Sequence, residues 1–159
     1  MSMEIVPLSL CPHYSPILAH WAYFQWYHER KVSFKAVDSD YRRRSCFDDL
    51  PVSWVAMDGD TPVGMVSLKE HDLSSHPHLS PWLSALYVLP LYRRRGIAGS
   101  LISKILSNAK DRGFSKVYLF ADHRNLSYLS RYYSSRGWKL EEKTVDGEGM
   151  NTEIYSKEL

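Results

Sequence analysis

Apolar positions change their period along this chain, and the changes mark its elements. Ile17, Leu18, Trp21, Ala22 and Gln25 recur at helical spacing, with Trp26 close by, and predict a helix in the first third. Pro12 and Pro16 lie near its start, where proline is tolerated. A second helical piece is expected from about Asp40 to Asp49, before Pro51. The middle of the chain then reads as strands. Ser53–Met57 and Pro62–Leu68 are apolar runs on either side of Asp58-Gly59-Asp60, which predicts a hairpin. A polar loop, Glu70–Ser80, leads to the apolar run Trp82–Leu89, closed by Pro90.

Helical spacing returns at Ile97. Ile97, Leu101, Ile102, Ile105, Leu106 and Ala109 form one stripe, and Gly113 stands where a helix commonly stops. Val117–Ala121 reads as a strand buried on both faces. A shorter helix is expected over Leu126–Ser135, ending at Gly137, followed by strands near Trp138–Thr144 and Met150–Lys157. This order predicts a mixed α/β sheet with at least one right-handed parallel crossover.

Composition narrows the class. A length of 159 residues fits one domain, residues 1–159. With 44% hydrophobic and 24% charged residues, the chain has the balance of an ordinary globular domain rather than a disordered one. A net charge of +2 gives no global drive toward nucleic acid or an anionic membrane, so neither is an expected partner. Cys11 and Cys46 are the only cysteines, which excludes a disulfide-dense scaffold and a four-cysteine zinc site; both read as inert thiols. Met1–Leu10 lacks the pattern of a signal peptide and no run is long enough to span a membrane, so the expected compartment is the cytoplasm.

The chemistry is concentrated in Tyr87-Val-Leu-Pro-Leu-Tyr-Arg93-Arg94-Arg95-Gly96-Ile97-Ala98-Gly99-Ser100-Leu101. A strand leads into a basic, glycine-rich loop that opens onto an amphipathic helix. The first amides of a helix have no internal partner and its dipole favours negative charge there. Gly96, Ala98 and Gly99 let a phosphate approach the main chain, while the three arginines add forked donors. The spacing fits neither a P-loop nor a dinucleotide fingerprint; it is Arg93-x-x-Gly96-x-Ala98.

That pattern resembles the Arg/Gln-x-x-Gly-x-Gly/Ala signature of the GNAT superfamily of acetyl-CoA-dependent N-acetyltransferases. Leu86-Tyr-Val-Leu-Pro90 is similar to the strand before that signature, and Tyr132-Tyr133-Ser-Ser-Arg-Gly137-Trp138 to the family's closing helix. The resemblance is best supported over residues 53–159. It implies a mostly antiparallel central sheet with flanking helices, and acetyl-CoA as acyl donor with no metal. Backbone groups of Leu86, Tyr87 and Val88 are then expected to pair with the pantetheine arm. Amides from Arg94, Arg95, Gly96, Ile97, Ala98, Gly99 and Ser100 are expected to hold the pyrophosphate, with Arg93 as the signature residue and Asn125 near the pantetheine. The resemblance makes Tyr133 the general acid for the departing thiolate, with Tyr132 as the alternative.

The strand before the loop carries no carboxylate, so the nearest candidates for a general base are Glu70, acting through water, and Asp72. The same lack motivates a second reading, a non-catalytic acyl-CoA-binding sensor. The amine acceptor stays open between small molecules and peptides, and the assembly stays open with a homodimer as the commonest outcome. Arg42–Arg44, among Asp38, Asp40, Asp48 and Asp49, reads as a solvated helix face. His71, His76 and His78 read as a polar loop, and Trp21, Trp26, Trp54 and Trp82 as core or pocket wall.

Overall fold

In a computed structural model that describes residues 3–45 and 49–159, seven strands form one sheet in the order β1-β2-β3-β4-β5-β7-β6. The strands are β1 (Met3–Pro7), β2 (Val52–Asp58), β3 (Thr61–Lys69), β4 (Trp82–Val88), β5 (Lys116–Phe120), β6 (Lys139–Val145) and β7 (Asn151–Glu158). The helices are α1 (Ser15–Ala22), α2 (Phe34–Arg43), α3 (Ile97–Asp111) and α4 (Leu126–Ser135). β1–β2, β2–β3, β5–β7 and β6–β7 pair antiparallel, and β4–β5 pairs parallel at Trp82↔Tyr118. The expected mixed, mostly antiparallel α/β architecture is therefore present. The chain nevertheless divides into two compact units, Met1–Leu68 with Ala85–Ile105, and Lys69–Ser84 with Leu106–Leu159.

The first unit is built on the β2–β3 hairpin. Gly59 at φ +59 supplies the left-handed residue of its tight turn. Val55, Ala56, Val63, Met65, Val66 and Leu68 are buried. β1 was not expected from the sequence, which places only helices before the hairpin; it is held by tertiary pairing with β2, from Met3↔Asp58 to Pro7↔Trp54. Leu18, Ala19 and Ala22 of α1 pack with Val37 and Tyr41 of α2 in this core. The α1 stripe is thus rotated from the expected one, because Ile17 is 36% exposed and Ala19 is fully buried. α2 begins at Ser33, whose hydroxyl accepts from the Ala36 amide at 3.1 Å. It ends earlier than expected, at Arg43, and Cys46 and Asp48 lie outside the described residues.

Arg44 corrects the reading of its triplet. Arg42 and Arg43 are solvated and pair with Asp38 and Asp40, but the Arg44 side chain is only 2% exposed. It turns inward from the end of α2 to Asp40 at 2.5 Å and Ser67 of β3 at 3.0 Å, with its guanidinium 4.2 Å from the Tyr41 ring centroid. A charge so deeply placed persists because it is paired and hydrogen-bonded.

In the second unit, Leu73, Trp82 and Ile154 form a core against Leu79, Tyr118 and Phe120. β5 is not buried on both faces: Val117 and Leu119 are buried while Lys116, Tyr118 and Phe120 are half-buried, the alternation of a strand with one inner face. α3 stops at Gly113, φ +90, where the Phe114 amide reaches back to Ala109 O at 3.1 Å. α4 ends the same way, with the Trp138 amide on Tyr133 O at 3.1 Å and Gly137 at φ +84. No described helix is long and apolar enough to cross a membrane.

Candidate functional site

Residues 87–101, from the end of β4 through the loop to the start of α3, lie in the first unit. Leu89, just past β4, donates its amide to Val63 O of β3 at 2.9 Å. Pro90–Tyr92 then form a single 3-10 turn, and the Tyr92 hydroxyl donates to Asp58 Oδ2 at 3.2 Å. Arg93 folds back: its Nε donates to Val88 O at 2.8 Å and its guanidinium stands 5.5 Å from the Tyr87 ring centroid. The side chain of the signature residue thus braces the turn from within.

Arg94 at φ +61 and Gly96 at φ +81 are both left-handed, which swings the intervening amides round the loop. Turns of this kind make anion-binding concavities. The Ser100 amide donates to Gly96 O at 3.1 Å and so closes the first turn of α3. The amides of Ile97, Ala98 and Gly99 consequently have no acceptor one turn behind them. A Cβ built on Gly96 or on Gly99 meets nothing within 4 Å, so the space beside these amides is open. Arg93, Arg94 and Arg95 are exposed, and Arg95 lies 5.1 Å from the Tyr92 ring centroid. Open main-chain donors, a helix N-terminus and flanking guanidinium groups fit a diphosphate.

β4 carries its own irregularity. Ala85 has φ +53 in the middle of a strand, a conformation that costs a non-glycine residue energy and recurs at functional positions. Leu86, Tyr87 and Val88 follow it directly, and the Tyr87 ring meets Trp21 at 5.6 Å and Trp26 at 6.4 Å between centroids. Sequence reasoning named both tryptophans as wall or core without pairing them with Tyr87; the signal it lacked was the π-helical turn at Tyr23–Tyr27.

Glu70, Asn125 and Tyr133 belong to the second unit. Tyr133 is 6% exposed and packs on Tyr132, Trp138 and Tyr155. Burial, aided by Tyr132 and Tyr128, pushes its hydroxyl pKa far up, so it holds its proton at neutral pH. Tyr132 is half-buried, with the Arg136 guanidinium 3.7 Å from its centroid. Asn125 is exposed at the start of α4, after a turn capped by Asp122. Burial raises the Asp122 carboxyl, but bonds from the Arg124 side chain and amide outweigh it and hold the group below the usual range. Glu70 is 68% exposed, 3.9 Å from His71. Asp72 is tied to Lys69 at 2.8 Å. His76 bonds to Ser75 at 2.7 Å and to Glu142, and stacks on His78. Burial pushes the Cys11 thiol up, in keeping with an inert residue. A cavity of about 690 Å³ lies elsewhere in this unit, among Leu126, Ser130, Lys143, Asn151 and Glu153, and includes none of the expected site residues.

Comparison with known proteins bears on this geometry. N-acetyltransferase 8 of Homo sapiens is 35% identical over 97 residues, 61% of this chain and 40% of that protein. The chain spans only 28–40% of the length of the curated relatives it matches. A solved aminoglycoside 6'-N-acetyltransferase in complex with coenzyme A superposes with a TM-score of 0.75 at 14% identity, over 99% of this chain and 97% of the other. A PaiA N-acetyltransferase from Thermoplasma acidophilum, also with coenzyme A, gives a TM-score of 0.64 at 22% identity over 100% of both chains. At these identities the solved structures establish the shared fold. The model of the Acetyltransferase (GNAT) family matches residues 17–138, and the chain belongs to that family.

Proposed function

We propose that the protein transfers an acetyl group from acetyl-CoA to a primary amine by direct attack in a ternary complex. The observation that carries this reading is the open row of amides at Gly96–Gly99, at the N-terminus of a 15-residue helix and within reach of exposed arginines. Family membership and the coenzyme A named with two of the solved neighbours support it.

In this reading the main chain from Arg94 to Ser100 takes the pyrophosphate, and Arg93 keeps the loop in shape from behind. The backbone of Leu86, Tyr87 and Val88 pairs with the pantetheine arm as an added strand does. Asn125 contributes near that arm. The acceptor must first lose a proton, since an alkylammonium with a pKa of about 10.4 has no free lone pair. Glu70 takes that proton through water. The amine nitrogen then bonds to the thioester carbon, and the negative oxygen that forms is stabilised by a strand amide near Val88. As the intermediate collapses the C–S bond breaks, the nitrogen releases its second proton to water to leave the neutral amide, and Tyr133 gives its proton to the departing thiolate. Burial holds the Tyr133 hydroxyl above the ordinary phenol value near 10, so it is a weak acid, but a thiolate near 8.5 needs only modest help.

Calorimetric titration with acetyl-CoA tests the reading. Saturable binding that free CoA competes away is expected; absence of heat and of competition at millimolar ligand overturns it. The lack of a carboxylate on β4 favours, as second reading, a sensor that binds acyl-CoA without turnover. CoA-thiol release across a panel of amines separates the two.

A further inference from the structure

α1 is followed by a π-helical turn, Tyr23–Tyr27, in which the His28 amide reaches back to Tyr23 O. A turn bonded five residues apart holds one residue more than an α-turn, so positions five apart return to the same side. Trp21 in the last turn of α1 and Trp26 in the π turn are five apart, and both rings meet Tyr87 of β4. The three rings stay half-buried, although other large aromatics of this protein are fully packed: Trp82 and Tyr155 are 0% exposed and Tyr41 is 1% exposed. They lie on the core formed by Leu18, Ala19, Ala22 and Val37 and present their remaining surface outward. Tyr87 belongs to the stretch of strand that takes the pantetheine arm in the acetyl-transfer reading, so this wall begins where an acceptor must wait.

Charge selects the occupant. The Arg93 guanidinium already stands 5.5 Å from the Tyr87 centroid, and the Arg30 guanidinium 5.8 Å from that of neighbouring Tyr27. The sites a second ammonium seeks on those rings are therefore next to fixed positive charge, and each extra cationic group on a ligand meets like-charge repulsion. The indole surfaces of Trp21 and Trp26 offer apolar area instead.

We propose that Trp21, Trp26 and Tyr87 form the acceptor wall, and that the acceptor is a primary monoamine with an apolar aryl or alkyl body rather than a polycation. This rests on the acetyl-transfer reading and adds its substrate class.

Purified full-length chain is assayed by CoA-thiol release with phenethylamine and hexylamine against spermidine and kanamycin. The monoamines are expected to show at least about tenfold higher kcat/KM. Trp26→Leu is expected to raise KM for phenethylamine about tenfold, with acetyl-CoA affinity within about twofold of the parent by calorimetry. Should that variant fail to fold, tryptophan emission of the parent protein on titration with phenethylamine gives the answer: a saturable change supports the wall, and none overturns it. Acetyl-CoA binding with preference for the polycations, or with no turnover of either monoamine, overturns this inference alone. Absence of acetyl-CoA binding overturns the acetyl-transfer reading and this one with it.

Discussion

Replacing Gly96 by Glu separates the effect of a charge at the loop from the effect of losing the loop. Gly96 has φ +81, and a Cβ there meets nothing within 4 Å. The side chain is therefore accommodated without a clash, and its cost to the fold is backbone strain of about 1–2 kcal/mol. A carboxylate at a helix N-terminus returns ~0.3–1 kcal/mol of that through the dipole. The net loss is at most about 2 kcal/mol, small against a typical stability of about 5–15 kcal/mol, and lowers Tm by no more than about 8 °C. The ligand meets a different balance. A carboxylate ~4 Å from a single phosphate charge is repelled by about 1 kcal/mol in bulk water and about 4 kcal/mol at an effective dielectric of 20. Each ~1.4 kcal/mol is tenfold in affinity, and a diphosphate carries more than one charge, so acetyl-CoA binding is expected to fall by about 100-fold. Gly96→Ala carries the same strain with no charge and weakens binding by no more than about tenfold. Calorimetry gives both affinities, and thermal unfolding shows that both variants are folded. If the Glu and Ala variants bind acetyl-CoA within threefold of each other, no diphosphate sits at these amides and the reasoning is refuted.

Four further outcomes follow from the same geometry. Gly64→Val places a Cβ 3.1 Å from Tyr87 O and 3.3 Å from Leu101 Cδ1, against backbone that cannot yield, and is expected to lower stability by about 1–3 kcal/mol in chemical denaturation. Gly137→Ala strains φ +84 and sets its methyl 2.7 Å from Lys157 Nζ, which caps the end of α4 at Arg136 O; a loss of about 1–2 kcal/mol is expected, and no loss shows that the cap is dispensable. Tyr133→Phe is expected to reduce kcat about tenfold with acetyl-CoA affinity unchanged. Because the folded pKa of Tyr133 lies above its unfolded value near 10, its neutral form stabilises the fold below that pH and the contribution is lost as pH rises, so the Phe variant loses less stability in alkaline titration. Asp122, held below its ordinary 3.8, acts in the opposite sense: its contribution is present above that value and lost as pH falls through the lower folded pKa, and Asp122→Asn is expected to flatten acid unfolding in that window.

What the sequence reveals depends on how local each cause is. α4 spans Leu126–Ser135 as its pattern predicts, and the β2–β3 hairpin is announced by the turn at Gly59-Asp60. Both are written in spacing and turn chemistry close at hand. β1 is five residues long and owes its form to β2, far away in sequence, so nothing nearby signals it. Arg44 looks like Arg42 and Arg43 until the end of α2 turns it toward Ser67. The turn into α3 is legible because left-handed glycine after a strand leaves a mark in the sequence. The joint contact of Trp21 and Trp26 with the Tyr87 ring is not, because an α-helical reading places two residues five apart on different sides.

The position of Arg93 also bears on why this fold persists at low identity. A guanidinium that touched the ligand directly would tie recognition to one side chain. Here it bonds to Val88 O and stands by the Tyr87 ring, so its work is to fix the path of the loop. Beside the exposed Arg94 and Arg95, the donors there are main-chain amides, which every residue except proline provides. Such a seat constrains φ at Arg94 and Gly96 and the space beside Gly96 and Gly99, and constrains other side chains weakly. Sequences can then diverge widely while strand, turn and helix keep their geometry; the fold itself is shared with solved structures at 14–22% identity.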